Sequence, residues 1–137
     1  MLPRFSITRR INFAETDMAG VMHFSHYFRL MEEVEHEFFR SRGLSVVMHD
    51  GGREISWPRV SASCEYSGPL RFEDVVELQL KITRIGSKSL SYEVDFVKDG
   101  QRVATGKLTS VCVAVEAGKF SPTAIPAAIR RRLEAAR

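Results

Sequence analysis

The stretch AETDMAGVMHFSHYFRLMEE, Ala14 to Glu33, changes character at its midpoint, and that change decides how the rest of the chain is read. The first half is small, acidic and turn-prone, centred on Thr16, Asp17 and Gly20. From about Met22 the apolar residues Phe24, Tyr27, Phe28, Met31, Val34, Phe38 and Phe39 recur at helical spacing. His26, Arg29, Glu33, His36, Glu37 and Arg40 between them supply a polar side. Gly43, after basic residues that suit the negative end of a helix dipole, reads as the stop. The spacing predicts a helix of about five turns, the longest element in the chain.

Outward from this helix the period changes. Upstream, Phe5, Ile7, Arg9, Ile11 and Phe13 share one face of an expected strand. Downstream, HDGGRE (His49 to Glu54) reads as a loop, and period two then dominates. ISWPRVSASCEY is read as one strand in which Pro58 marks an edge or a bend. Val76, Leu78, Leu80 and Ile82 define a second strand, and Leu90, Tyr92, Val94 and Phe96 a third. Asp99–Gly100 is a two-residue hairpin signal into a long last strand. The even positions of that strand, Ala104, Gly106, Ser110, Cys112 and Ala114, are small and would let another element come close. A short helix is expected after Pro126. The order is strand, long helix, four strands, short helix. Consecutive antiparallel strands and one apolar helix share a core only if the sheet curls around the helix, an α+β arrangement. One sheet face stays uncovered, which suggests pairing with another copy through sheet edges or faces.

At 137 residues the chain is expected to form one domain, 1–137, and apolar and charged fractions of 44% and 27% fit a folded protein rather than a disordered one. The net charge of +3 is mild and sits largely in RFSITRR and IRRRLEAAR near the ends. Without a basic stripe interleaved with aromatics, no nucleic-acid partner is expected. Cys64 and Cys112 lie in apolar or alternating runs and read as buried free thiols, which fits a reducing, cytoplasmic location. The N-terminus has no apolar signal core, and no uncharged run reaches the length of a membrane span, so no membrane partner is expected.

No G-x-S-x-G elbow, phosphate loop or G-x-G-x-x-G fingerprint is present. His23 and His26 are near neighbours, but His36 would lie about 15 Å further along a helix, too far to share an ion, so no metal is expected. Asp17 has two readings. It could form an Asx-turn or cap the helix. Alternatively, the unpaired N–H groups of the first helical turn, somewhere in Val21 to Ser25, could polarise a carbonyl oxygen as an oxyanion hole does. A carboxylate held nearby could then attack that carbonyl, or draw a proton from water that does.

NFAETDMAGVMHFSHYFRLMEEVEHEFFRSRGLS resembles the opening of the hotdog-fold acyl-CoA thioesterases of the 4-hydroxybenzoyl-CoA thioesterase type. The likeness is carried by the T-D-x-x-G-x-V/M turn, the tyrosine of SHYFRLME, Glu32 and the glycine that ends the helix. It continues more weakly through VSASCEYSGPLRFEDVVEL and IPAAIRRRL, so it covers nearly the whole chain. The resemblance implies a long central helix wrapped in an antiparallel sheet, assembled as a homodimer or as a homotetramer of dimers. It implies an acyl-CoA or acyl-carrier-protein thioester as substrate, and no cofactor beyond the coenzyme A that is part of that substrate. Asp17 takes the place of the catalytic carboxylate, and the backbone around His23 and Phe24 that of the region polarising the thioester carbonyl. Gly20, Val21, His26, Tyr27, Arg59 and Lys88 form the implied substrate-binding set. Within it Tyr27 is expected to serve packing, while Glu32, outside it, is expected to pair with an arginine. In such enzymes the pantetheine arm enters between protomers, and Arg59, Arg84, Lys88 and Arg102 are the candidates for the nucleotide phosphates. Departures from the pattern are His26 where many relatives have asparagine, Phe24 where some have histidine, and Glu35 where several have arginine. The apolar helix face suggests an acyl or aryl group.

Two other readings compete. One is a hotdog module that binds acyl-CoA or an acyl carrier protein without hydrolysing it. The other, dehydratase or hydratase chemistry, lacks its D-x-x-x-x-H pairing, because Met22 stands five residues after Asp17.

Overall fold

The structure is a computed structural model and describes residues 2–135. In chain order it contains β1 (Arg4–Arg10), a 3-10 turn (Phe13–Glu15), α1 (Ser25–Ser41), β2 (Met48–Asp50), β3 (Arg53–Ser56), β4 (Arg59–Tyr66), β5 (Val75–Ile85), β6 (Ser89–Lys98), β7 (Gln101–Val111), β8 (Val113–Glu116), β9 (Lys119–Pro122) and α2 (Ala127–Glu134). The strands make two antiparallel sheets, one ordered β1-β5-β6-β7-β4 and the other β2-β3-β8-β9.

The two sheets share chain segments. β3 runs into β4 across Trp57–Pro58, and β7 runs into β8 across Cys112. Each of the two long strands expected from the sequence is therefore broken once. Pro58 marks both things proposed for it, since it ends β3 and precedes β4, an edge strand of the larger sheet. HDGGRE is not a loop as expected: β2 and β3 pair across it, and only Gly51 and Gly52, both at positive φ, make the turn. The Asp99–Gly100 hairpin forms between β6 and β7, with both residues at positive φ as a two-residue turn of that type requires.

α1 covers 17 residues, close to the expected length, and buries Tyr27, Leu30, Met31, Val34, Glu35, Phe38 and Phe39. It packs against β1, β5 and β7. The facing strands alternate as their sequence demands, burying Val76, Leu78, Leu80 and Ile82 of β5 and Leu90, Tyr92, Val94 and Phe96 of β6. On β7 the face expected to be small is broken by Leu108, which is buried between its small neighbours. Ala104, Gly106 and Ser110 are buried, and a Cβ at Gly106 would overlap the Met31 sulfur. Gly43 ends α1 at φ +70°, with Gly43 and Leu44 N–H groups returning to the Arg40 and Phe39 carbonyls. α2 buries Ile129 and Leu133 and fastens two turns, donating from Arg132 to the Gly43 carbonyl and from Arg130 to the Gly86 carbonyl. No helix among the described residues is long and apolar enough to cross a membrane.

Candidate active site

The segment between the 3-10 turn and α1 folds back on itself. Asp17 N–H donates to the Val21 carbonyl at 2.9 Å, Thr16 bridges Met22, and His23 N–H donates to the Glu15 carbonyl at 2.9 Å. Gly20, at φ +80°, turns the tip and donates to the Asp17 carbonyl at 2.9 Å. Met22 N–H then reaches the Leu70 carbonyl, which fixes the returning arm to the loop between β4 and β5. These bonds explain why α1 starts at Ser25 and not near Met22. The N–H groups of Met22 and His23 already have acceptors outside any helix, and that tertiary pairing overrides the apolar spacing.

The expected donor region of Val21 to Ser25 thereby narrows. Ser25 N–H faces the His23 ring nitrogen Nδ1 at 3.4 Å, whereas Phe24 N–H has no acceptor among the described residues. Phe24 is the N-cap of α1, so its amide points out of the helix end that carries the partial positive charge. Its ring is 63% exposed and therefore is not held by the core.

Asp17 is half-buried at the tip of the same fold-back. One carboxylate oxygen accepts the Ala19 N–H at 2.8 Å, so the Asx-turn reading is realised. The helix-cap reading is not, since Phe24 and not Asp17 is the N-cap of α1 and Asp17 lies well ahead of Ser25. The second carboxylate oxygen accepts nothing among the described residues. Val21 takes part through its carbonyl and Gly20 through its backbone conformation.

The histidines flank this arrangement. His23 Nδ1 lies 2.8 Å from the Ser25 hydroxyl, which makes the imidazole a partial cap of α1, and its ring stands 4.6 Å from that of Phe24. His26 is half-buried with its ring 6.5 Å from that of His23. Tyr27 is 3% exposed and packs edge-on against Tyr66 at 4.7 Å and tilted against Phe96 at 5.2 Å. Burial pushes its phenol up to about 12. Tyr27 is thus held in the packing between α1 and the sheet. Tyr66, which sequence reading passed over, brings its hydroxyl to 3.5 Å from the Phe24 carbonyl, so the end of β4 closes over the start of α1.

The basic candidates separate. Arg59 donates to Glu35 at 2.7 and 2.5 Å, to Ser110 at 3.1 Å and to Glu32 at 3.2 Å, which commits its guanidinium within the chain. The expected arginine partner of Glu32 is therefore Arg59. Lys88 lies in the β5–β6 turn, beside the end of β5 that carries Arg84. The opposite end of β6 carries Lys98, paired with Asp74 at 3.0 Å, and Asp74 in turn accepts the Ile11 N–H where the Asp17 segment begins. A strand of that length spans about 30 Å, so within the chain Lys88 and Arg84 are remote from Asp17. Arg102 is at the near end, its carbonyl accepting from Ser67.

A groove of about 230 Å³ runs along α1 against β4 and β7, lined by Phe28, Arg29, Glu32, Arg59, Ala62 and Leu108. Phe24, Phe28 and Glu32 are successive four-residue steps of about 6 Å each, so the groove begins one helical turn from the Phe24 amide. Its middle is apolar and its far end carries the Arg59–Glu32 pair at 3.2 Å.

The thioesterase-like superfamily matches residues 11–133. A 1,4-dihydroxy-2-naphthoyl-CoA hydrolase of Synechococcus sp. (strain WH7803) is 32% identical over 136 residues, covering 94% of this chain and 88% of the relative. Among solved structures, a hypothetical protein of Aquifex aeolicus superposes with a TM-score of 0.82 at 33% identity, covering 94% of this chain and 98% of that one. A gentisyl-coenzyme A thioesterase superposes with a TM-score of 0.79 at 27% identity, covering 92% and 99%. Fold and sequence agree, and the chain belongs to the thioesterase-like superfamily.

Proposed function

We propose that this protein hydrolyses the thioester of an acyl- or aryl-CoA, with hydroxyaryl groups the favoured acyl part. The observation that carries this reading is the pairing, on one fold-back, of a carboxylate oxygen without a partner at Asp17 and an amide without an acceptor at Phe24. The thioester carbonyl lodges against the Phe24 N–H, where the helix dipole stabilises the negative charge that develops on oxygen. Asp17 either takes the proton of the water that adds to the carbonyl carbon or adds to it directly, forming an anhydride that water then cleaves. In both cases the carbon–sulfur bond breaks, the thiolate of coenzyme A leaves and takes up a proton, and the free acid remains.

The groove beside α1 supports the substrate class. Phe28, Ala62 and Leu108 suit an aromatic ring, and Arg59 with Glu32 suits hydroxyl substituents at its far edge. The hydroxyaryl-CoA names of two similar proteins point the same way. Dimer formation is part of this reading. Among the described residues β4 pairs only with β7, and its Val60-Ser61-Ala62-Ser63-Cys64 run carries no charge to discourage a second strand. A protomer pair joined there would put a second chain beside the groove. The two free thiols fit a reducing, cytoplasmic setting.

The test is thiol release from a panel that includes benzoyl-CoA and 1,4-dihydroxy-2-naphthoyl-CoA. Asp17→Asn is expected to lower kcat by about 10²-fold, the scale of losing a general base. Unchanged turnover in that variant removes Asp17 from the mechanism. Saturable binding across the panel with no thiol released favours a module that binds acyl-CoA without hydrolysing it.

A further inference from the structure

β1 turns Phe5 and Ile7 towards the core side, Ile11 just beyond its end continues that stripe, and Arg9 interrupts it. All five of its guanidinium N–H groups are used. Nε and Nη2 donate to Glu33 of α1 at 3.1 and 3.0 Å, and Nη1 and Nη2 donate to Glu15 at 2.7 and 2.5 Å. The remaining Nη1 proton goes to the Arg10 carbonyl at 2.8 Å. A planar fork with every donor engaged fixes both carboxylates relative to β1 with little rotational freedom left.

Glu15 passes this constraint to the fold-back. Its Oε1 also accepts the Asn12 N–H at 2.8 Å, closing the 3-10 turn, and its own carbonyl holds the His23 N–H at 2.9 Å. Glu15 therefore stands two residues ahead of Asp17 on the outgoing arm and opposite His23, the neighbour of Phe24, on the returning arm. Its side chain is 11% exposed, although a helix–strand tie would need only the Glu33 contact. Burying a second carboxylate costs desolvation and recommends a purpose beyond that tie.

We infer that Arg9, Glu15 and Glu33 form a positioning device, which holds the Asp17 carboxylate and the Phe24 amide in their relative places through the main chain of Glu15. The inference rests on the reading of Asp17 and Phe24 given above. Arg9 and Glu15 touch no reacting atom and act through the fold-back alone. The hydrogen bonds from Arg9 hold the Glu15 carboxyl below its ordinary range, so the device stays ionised where the enzyme would work.

The test uses Glu15→Gln, Arg9→Lys, Asp17→Asn and the double variant Glu15→Gln/Asp17→Asn, with benzoyl-CoA as substrate. Thiol release is followed beside amide hydrogen exchange at His23. Glu15→Gln and Arg9→Lys are expected to lower kcat by about tenfold or more with KM changed by less than about twofold, the mark of a misplaced group rather than lost binding. His23 exchange should quicken while amides of β5 to β7 keep their protection. Once Asp17→Asn has removed the base, adding Glu15→Gln should cost less than about twofold more. Unchanged kcat or unchanged His23 exchange in Glu15→Gln overturns the inference, as does a full multiplicative loss in the double variant when Asp17→Asn is itself impaired. A loss in Glu15→Gln beside a fully active Asp17→Asn upholds positioning of the Phe24 amide and instead removes Asp17 from the proposed reaction. Arg9→Lys carries the same readouts if Glu15→Gln does not fold.

Discussion

α1 is tied to both edges of the five-stranded sheet by an arginine between two glutamates, and the two ties differ in what they hold. At the β1 edge, Arg9 joins Glu33 of the helix to Glu15 of the fold-back. At the β4 edge, Arg59 joins two glutamates that both belong to the helix, Glu32 and Glu35. The second tie is sunk deeper at its acidic end: Glu35 is 2% exposed, and the Tyr92 hydroxyl is buried without a hydrogen bond among the described residues. Burial pushes the Tyr92 phenol well above its ordinary range, with the Glu35 charge adding to the effect. One cluster therefore fastens helix to strand, whereas the other fastens helix, strand and candidate active site together. Chemically alike clusters should fail in different ways, stability and acyl-group binding on the β4 side, where Arg59 and Glu32 also line the groove, and kcat on the β1 side.

The largest expected effect breaks the β4 tie. Arg59→Met leaves Glu35 buried without its partner and should destabilise the fold by about 3–5 kcal/mol. Denaturant unfolding measures this, and the paired change Glu35→Leu with Arg59→Met should recover most of the loss, because an apolar pair needs no compensation. If Arg59→Met unfolds at the wild-type midpoint, the β4 cluster is not a structural tie and the contrast fails.

A smaller effect concerns acid. The Glu15 carboxyl is held below its ordinary value of 4.5, chiefly by its hydrogen bonds to Arg9. A carboxyl depressed in the folded state contributes stability that is present above 4.5 and is lost as pH falls through its lower folded value. Glu15→Gln should therefore flatten the stability profile in that acid window and leave its shape at neutral pH unchanged, as read by thermal melts across pH. An unaltered acid limb would mean that Arg9 does not stabilise the charged form.

The smallest effect sharpens the division within the β1 cluster. Glu33 is 44% exposed, so Glu33→Gln should cost less than about 1 kcal/mol in unfolding. It should also slow turnover less than Glu15→Gln does, because Glu33 holds the arginine and not the fold-back. Equal losses from the two changes would make the cluster a single rigid unit.

The elements that sequence displayed were those whose cause is local. Asp99–Gly100, Pro58, Gly43 and the apolar spacing of Tyr27 to Phe39 each act through their own backbone preference or a single face, and each appears where expected. Asp17 likewise announced a turn through its neighbours Thr16 and Gly20. What sequence hid depends on partners distant along the chain. Arg9 shares a strand face with apolar neighbours, but nothing in the pattern names Glu33, 24 residues away, as its partner. The same separation hides Arg59 from Glu35. The start of α1 was misplaced because Met22 and Phe24 fit the helical period, while Leu70, far downstream, supplies the acceptor that keeps Met22 out of the helix. The β2–β3 hairpin was missed because three-residue and four-residue strands give alternation too little length to register.

Gly106 and Met31 leave a further mark, one that belongs to descent and not to any single chain. Because a methyl group at position 106 would overlap the Met31 sulfur, the space between α1 and β7 is shared by the two positions. A lineage that acquires alanine at 106 must shorten or reshape the side chain at 31, or lift the helix away from β7. Among related sequences the two positions should drift together, with combined volume inherited while the residues change.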